Sequence, residues 1–179
     1  LNASTNDNQQ NVDVAVHSDG TFAVVWDTLD GSQDSNGKAV YLRFFDKDGN
    51  PNTGEILVNE LPGTNQQEDP RVTLDAAGNA IVSWTSTQTG SMDVYARVFN
   101  SSGAAQTSEL LVNSNYTTGE QWNSDVAAED NGDFVVVWEG EGTGDSTGIW
   151  GQRFQANGAK IGVNFQVNVT PYGSRICGL

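Results

Sequence analysis

The chain of 179 residues carries 23 Asp and Glu against 8 Lys and Arg, a formal net charge of −15, which repels phosphate backbones and anionic lipid headgroups and sets nucleic acid and membrane surfaces aside as partners. Its length suits one domain with a real core, and no apolar run approaches the roughly 18 residues that would span a bilayer. A single Cys, Cys177 in the tail, excludes an internal disulfide and a Cys-built metal cluster.

Val, Ile, Phe, Trp, Tyr and Thr fall in short runs separated by Gly, Asn, Asp and Ser, which reads as all-β. The opening Leu1-Asn2-Ala3-Ser4 has no initiator Met and no basic-then-apolar leader, and is read as a mature or excised piece. A first strand is predicted over 12–17, then a turn at Ser18-Asp19-Gly20, whose Gly tolerates φ > 0. The second strand is the pentamer FAVVW at 22–26. Apolar at successive positions, it predicts burial on both faces, inside a stack of sheets. An acidic loop leads to a third strand at 39–45, a second Gly-bearing turn at 47–50, and a fourth strand ending in Val58-Asn59.

The same series is then written twice more. First strands are predicted at 71–75 and 125–129, second strands at 80–84 (AIVSW) and 134–138 (FVVVW), third strands at 93–99 and 148–154, and fourth strands ending in Val112-Asn113 and Val167-Asn168. Trp26, Trp84 and Trp138 form one column; Tyr41, Tyr95 and Trp150 a second; Phe45, Phe99 and Phe154 a third; Gly49, Gly103 and Gly158 a fourth. Four antiparallel strands every 50-odd residues are the signature of a β-propeller blade. The expected fold is therefore an all-β, propeller-like array of about three four-stranded antiparallel blades. They form one repeat domain over 1–179, with blades at about 3–60, 61–114 and 115–170 and an irregular tail at 171–179. A closed ring takes roughly four to eight blades. Three blades thus imply a longer chain, a six-bladed ring made by two copies, or an open stack covered by its neighbours in a polymer.

The third copy reads NGDFVVVW at 131–138, IWGQRF at 149–154 and FQVN at 165–168. Across nearly the whole chain these units resemble a tandem repeat of large secreted bacterial proteins, including calcium-dependent adhesins of the RTX type. The resemblance implies extracellular propeller-like modules, secreted or held at the bacterial cell surface.

Candidate sites are weighed against the repeat. The run from Asp46 to Asn50 looks like a calcium loop, but an EF-hand loop would want Gly and Glu where Pro51 and Leu57 stand. Its counterparts keep the Gly and lose the carboxylates, so it reads as a turn. The loops after the second strands are better Ca²⁺ candidates: Asp27, Asp30 and Asp34 in the first copy, and Glu139, Glu141 and Asp145 in the third, hard oxygen ligands interspersed with Gly and Ser. The plainer reading is a solvated acidic loop. Asp13 and Asp125, with Arg71 in the middle copy, share a first-strand column that in propellers lines the central channel.

Sugar-binding propellers stack rings between blades, so Trp122, Trp150, Tyr41 and Tyr95, with Arg43 and Arg97 two positions after the tyrosines, are the glycan candidates. Trp122 has no aromatic counterpart in the other copies and is the first choice. His17 is the only His, which excludes a His-based triad or a two-His zinc site. Sequons stand at Asn2, Asn100, Asn115 and Asn168. The function expected is a non-enzymatic secreted or cell-surface repeat module with a structural, adhesive or self-assembling role. Its expected partners are further copies or further blades. The alternatives are a glycan-binding propeller module and a fragment of an extracellular hydrolase.

Overall fold

A computed structural model describes residues 8–28, 37–60, 65–115, 118–142 and 145–168, with the side chains of 145 and 146 excepted. Gly-bearing turns fold each copy back on itself as a four-stranded antiparallel sheet, and no helix occurs among the described residues. Blade 1 holds β1 (Gln9–Val16), β2 (Phe22–Thr28), β3 (Ala39–Phe45) and β4 (Ile56–Leu57). Blade 2 holds β5 (Gln67–Leu74), β6 (Ala80–Ser86), β7 (Asp93–Phe99) and β8 (Leu110–Leu111). Blade 3 holds β9 (Gln121–Ala128), β10 (Phe134–Gly142), β11 (Asp145–Phe154) and β12 (Lys160–Gln166). Within each blade every strand pairs with its sequence neighbour, as predicted.

The three blades stack. One core cluster joins Ala23, Val25, Leu42 and Phe44 of blade 1 to Val82, Trp84, Tyr95 and Phe99 of blade 2. A second joins Ile81, Val94, Ala96 and Val98 of blade 2 to Phe134, Val136, Trp138, Trp150 and Phe154 of blade 3. Each blade therefore offers its Trp-bearing face backward, to the preceding blade, and its opposite face forward. Burial on both faces of the apolar pentamer holds for β6, all seven residues of which are buried, but not for β2 or β10, which alternate between buried and half-buried positions. The correction is physical: an end blade has a neighbour on one side only.

Each first strand begins three or four residues before its predicted start because a bulge interrupts its alternation. The residues there, Asn11, Asp69 and Asn123, have φ of 53°, 53° and 51°. Asn and Asp tolerate this left-handed conformation better than any other residue with a side chain.

The Val-Asn pairs lie beyond the short fourth strands of blades 1 and 2 and extend the pairing with strand three. The N–H of Val58, Val112 and Val167 donates to the carbonyl of Val40, Val94 and Ile149 at 2.9, 2.9 and 2.8 Å. The Asn side chain then takes over from the backbone. The Oδ1 atoms of Asn59, Asn113 and Asn168 accept from the N–H of Val40, Val94 and Ile149 at 3.1, 2.9 and 2.8 Å. The indole N–H of Trp84 donates to Gln67 at 2.9 Å and that of Trp138 to Gln121 at 2.8 Å, so these two buried second-strand Trp residues find their partners at the start of their own blades.

Candidate functional site at the blade faces

Of the aromatic candidates, Tyr41, Tyr95 and Trp150 are 7%, 5% and 2% exposed. Tyr41 and Tyr95 stack on Trp26 and Trp84, and the Trp150 indole N–H donates to the Gly140 carbonyl at 3.1 Å. Rings packed in this way have little face left for a sugar. Trp122 is half-buried in β9, paired with Glu139 of β10, immediately before the left-handed Asn123. Its place corresponds to Glu68 in β5, which pairs with Lys38 of blade 1.

The two arginines serve the blades themselves. Arg97 donates from Nε to the Thr107 carbonyl at 3.1 Å and reaches across the seam to the Val58 carbonyl at 2.7 Å and Glu60 at 2.6 Å. Arg43 repeats the first of these contacts, to Thr53 at 3.1 Å, on the face of blade 1 that no other blade covers.

The acidic candidates separate. Asp30 and Asp34 lie outside the described residues, as does the side chain of Asp145. Asp27 is fully buried. Its Oδ2 accepts from the Asn11 amide at 2.8 Å and, across the seam, from the Asp69 N–H at 3.2 Å, while Oδ1 has no partner. Burial raises its pKa against these hydrogen bonds. Glu139 and Glu141 are exposed, and they belong to a strand where a loop was predicted: β10 runs on to Gly142, and β11 starts at Asp145. The glycines explain this. A Cβ at Gly142 would overlap the Trp150 ring, and one at Gly140 would overlap Gln121, so the acidic run is a hairpin closed over buried side chains. No group of three or more His, Cys, Asp or Glu residues converges as metal ligands among the described residues.

In the first-strand column, Asp13 accepts the Val72 N–H across the seam at 2.9 Å. Arg71 donates to the Pro70 carbonyl at 2.8 Å, and Asp125 accepts the Val126 N–H at 2.9 Å. His17 places Nε2 3.2 Å from the Ala76 carbonyl of blade 2. Its pKa is raised, first by the hydrogen bond to Asp19 and then by Ala76. The turn reading of the Asp46 run agrees with its bonds: Asp46 Oδ1 accepts from Asp48 and Asn50 N–H at 2.9 and 2.8 Å, as Asn100 does from Ser102 and Ala104 at 3.1 and 2.9 Å.

The open features lie at the two ends of the stack. Blade 1 exposes Val12, Val14 and Val16, and blade 3 exposes Val163, Phe165 and Val167. On blade 1 a depression of about 220 Å³ is lined by Gln9, Gln10, Val12, Trp26, Arg43 and Phe45. The count of three blades leads sequence reasoning to expect uncovered ends, because the first and last copies lack a neighbour on one side, but it marks none of these valines, nor Phe165, as exposed.

No family model matches the chain, and no curated protein matches it. Among solved structures it is similar to the Hadza microbial sialidase Hz136, at 11% sequence identity and a TM-score of 0.57, over 90% of this chain and 33% of that one. The chain thus spans about a third of the length of that structure. At this identity the likeness speaks to fold, and that neighbour is a β-propeller. The three stacked sheets of this chain are a propeller-like arrangement of blades.

Proposed function

We propose that the chain is a non-enzymatic, blade-type repeat module of the kind found in large secreted bacterial proteins resembling RTX adhesins, working outside the cell as a structural, adhesive or assembly element. One observation carries this reading. The residues that recur from copy to copy are used in building and joining the blades: within a blade, Trp84 with Gln67, Trp138 with Gln121 and Asn113 with Val94 and Asp93, and across a seam, Arg97 with Val58. What the molecule leaves open is apolar sheet face. The test is an assay for turnover of fluorogenic glycosides, sialosides among them. Absence of turnover supports the reading, and hydrolysis lost on substituting a single carboxylate overturns it in favour of a hydrolase fragment.

A second reading, a glycan-binding module, is favoured by the depression on blade 1, where the half-buried Trp26 lies beside Arg43, Gln9 and Gln10. An aromatic plane next to a cation and carboxamides suits a pyranose ring. Saturable binding on a glycan array that disappears in Trp26→Ala would establish it. The adhesin resemblance also brings Ca²⁺ as a proposed ligand of the acidic segments, with Asp27 and its unpartnered buried oxygen as the described residue nearest to that chemistry. A melting temperature that falls on adding chelator, and does not fall in Asp27→Asn, is the expected signature.

A further inference from the structure

Each internal seam is closed by the same one-way latch. At the seam of blades 1 and 2, Ile56 of the fourth strand lies against Gly103 so closely that a Cβ there would overlap it. At the seam of blades 2 and 3, Leu110 takes the corresponding place against Gly158, its Cδ1 3.0 Å from where a Cβ would stand. The next residue in the donor column is Phe165, 42% exposed on blade 3, and the first residue in the acceptor column is Gly49 of blade 1, with nothing within 4 Å of a Cβ built there.

Other seam contacts stand ready in the same columns. The Val58 carbonyl is taken by Arg97, and the Val112 carbonyl by Asn164 at 3.0 Å; Val167 is the third residue of that column, and Arg43 on blade 1 stands where Arg97 stands on blade 2. Asp13 accepts the Val72 N–H across the first seam, and Asp125 occupies the same column of blade 3, with Val14 of blade 1 in the column of Val72. Donor elements are thus displayed at one end of the stack and acceptor elements at the other.

We infer that the forward face of blade 3 docks on the Trp26-bearing face of blade 1 of a second copy of this chain, with Phe165 seated over Gly49 and Val163 and Val167 covered together with Val12 and Val14. This deepens the reading of the chain as an assembly module and rests on it. The contact is head-to-tail, so two copies close into a ring with two identical seams if the rotation permits, and otherwise extend as a filament. An isologous pairing of like faces would bring Trp face to Trp face and leave every latch unmatched. With a net charge of −15 on each copy, association strengthens as salt rises, because screening weakens the repulsion and leaves the apolar contact intact.

The test is the solution mass of the full chain by light scattering and sedimentation at rising concentration, for the parent chain, Val12→Asp and Phe165→Asp. Val12 and Phe165 are exposed, so both variants fold, which an unchanged far-UV spectrum checks. The parent is expected to run as a dimer or larger species, and each variant alone as a monomer of 19.1 kDa. An equimolar mixture of the two variants is expected to recover a dimer, because the intact blade 3 of Val12→Asp meets the intact blade 1 of Phe165→Asp. A parent that stays monomeric at millimolar concentration overturns the inference. So does a parent that dimerises together with one variant that dimerises by itself, the result that like faces in contact would give. Neither result touches the glycoside-turnover assay, which tests the parent reading separately.

Discussion

Replacing Asn113 by Ala examines how the carboxamide column substitutes for backbone. Asn113 is fully buried. Its Oδ1 accepts the Val94 N–H at 2.9 Å, and its Nδ2 donates to Asp93 Oδ1 at 2.6 Å. The substitution leaves a buried N–H without an acceptor, a cost of about 1–3 kcal/mol, and removes a bond to a charged acceptor worth about 1.5–3 kcal/mol. The Thr89 hydroxyl still donates to Asp93, so the combined loss is about 3 kcal/mol, a large share of the roughly 5–15 kcal/mol that holds an ordinary domain folded. Asn168 makes the same bond to Ile149 at 2.8 Å but is half-buried at an open end, and Asn168→Ala should cost about 1 kcal/mol. Urea unfolding followed by Trp fluorescence reads both as shifts in midpoint at unchanged slope. Asn113→Asp sharpens the test: it keeps the acceptor, loses the donor and sets a second carboxylate against Asp93, so it should remain destabilising at neutral pH. A cost for Asn113→Ala under about 0.5 kcal/mol, or one smaller than that of Asn168→Ala, would refute the reasoning.

Gly103→Ala and Gly49→Ala share a left-handed backbone, φ +86° and +84°, but only the first meets a neighbour, Ile56. Both should lose about 1 kcal/mol to conformation, and Gly103→Ala about 1–3 kcal/mol more to overpacking, read as the difference between two urea midpoints. Gly142→Ala should be costly as well, through the Trp150 ring, and should shift Trp fluorescence. Asp27 is a buried carboxylate with a raised pKa. The folded state binds its proton more tightly, so stability falls as pH rises from the unfolded value of 3.8 through the folded one; Asp27→Asn should raise the melting temperature at pH 7 and flatten that slope. His17, with its pKa raised above 6.5, gives the opposite case of a cation stabilised by folding. Its contribution is complete below 6.5 and is lost as pH rises through the folded value, a step that His17→Gln should remove from a plot of melting temperature against pH.

The architecture was legible because turn glycines and apolar pentamers recur in register, and each copy needs neighbours to bury what it carries. The signal was weaker where one column holds different residue types. Asn11, Asp69 and Asn123 share a left-handed bulge, yet only the strand register reveals them as equivalent. Gln9, Gln67 and Gln121, each 17 residues before a column Trp, show their meaning only once Trp84 and Trp138 are seen to donate to the last two. The candidate site was read less well. A periodicity says that Tyr41, Tyr95 and Trp150 lie on a common face but not whether another blade covers it. The acidic, Gly-rich run around Glu139 and Glu141 has loop composition and strand geometry because its glycines make room for Trp150 and Gln121.

The burial of β6 on both faces sets a gradient of protection along the stack. Stability in an array of repeats is close to a sum of units and nearest-neighbour contacts, and blade 2 alone among the three has both. Its amide protons on β6 should exchange slowest, through opening of the whole stack, while those of β1 and β12 exchange by loss of one end blade at a time. Mechanical load applied at the ends would likewise peel blades singly and break the central one last.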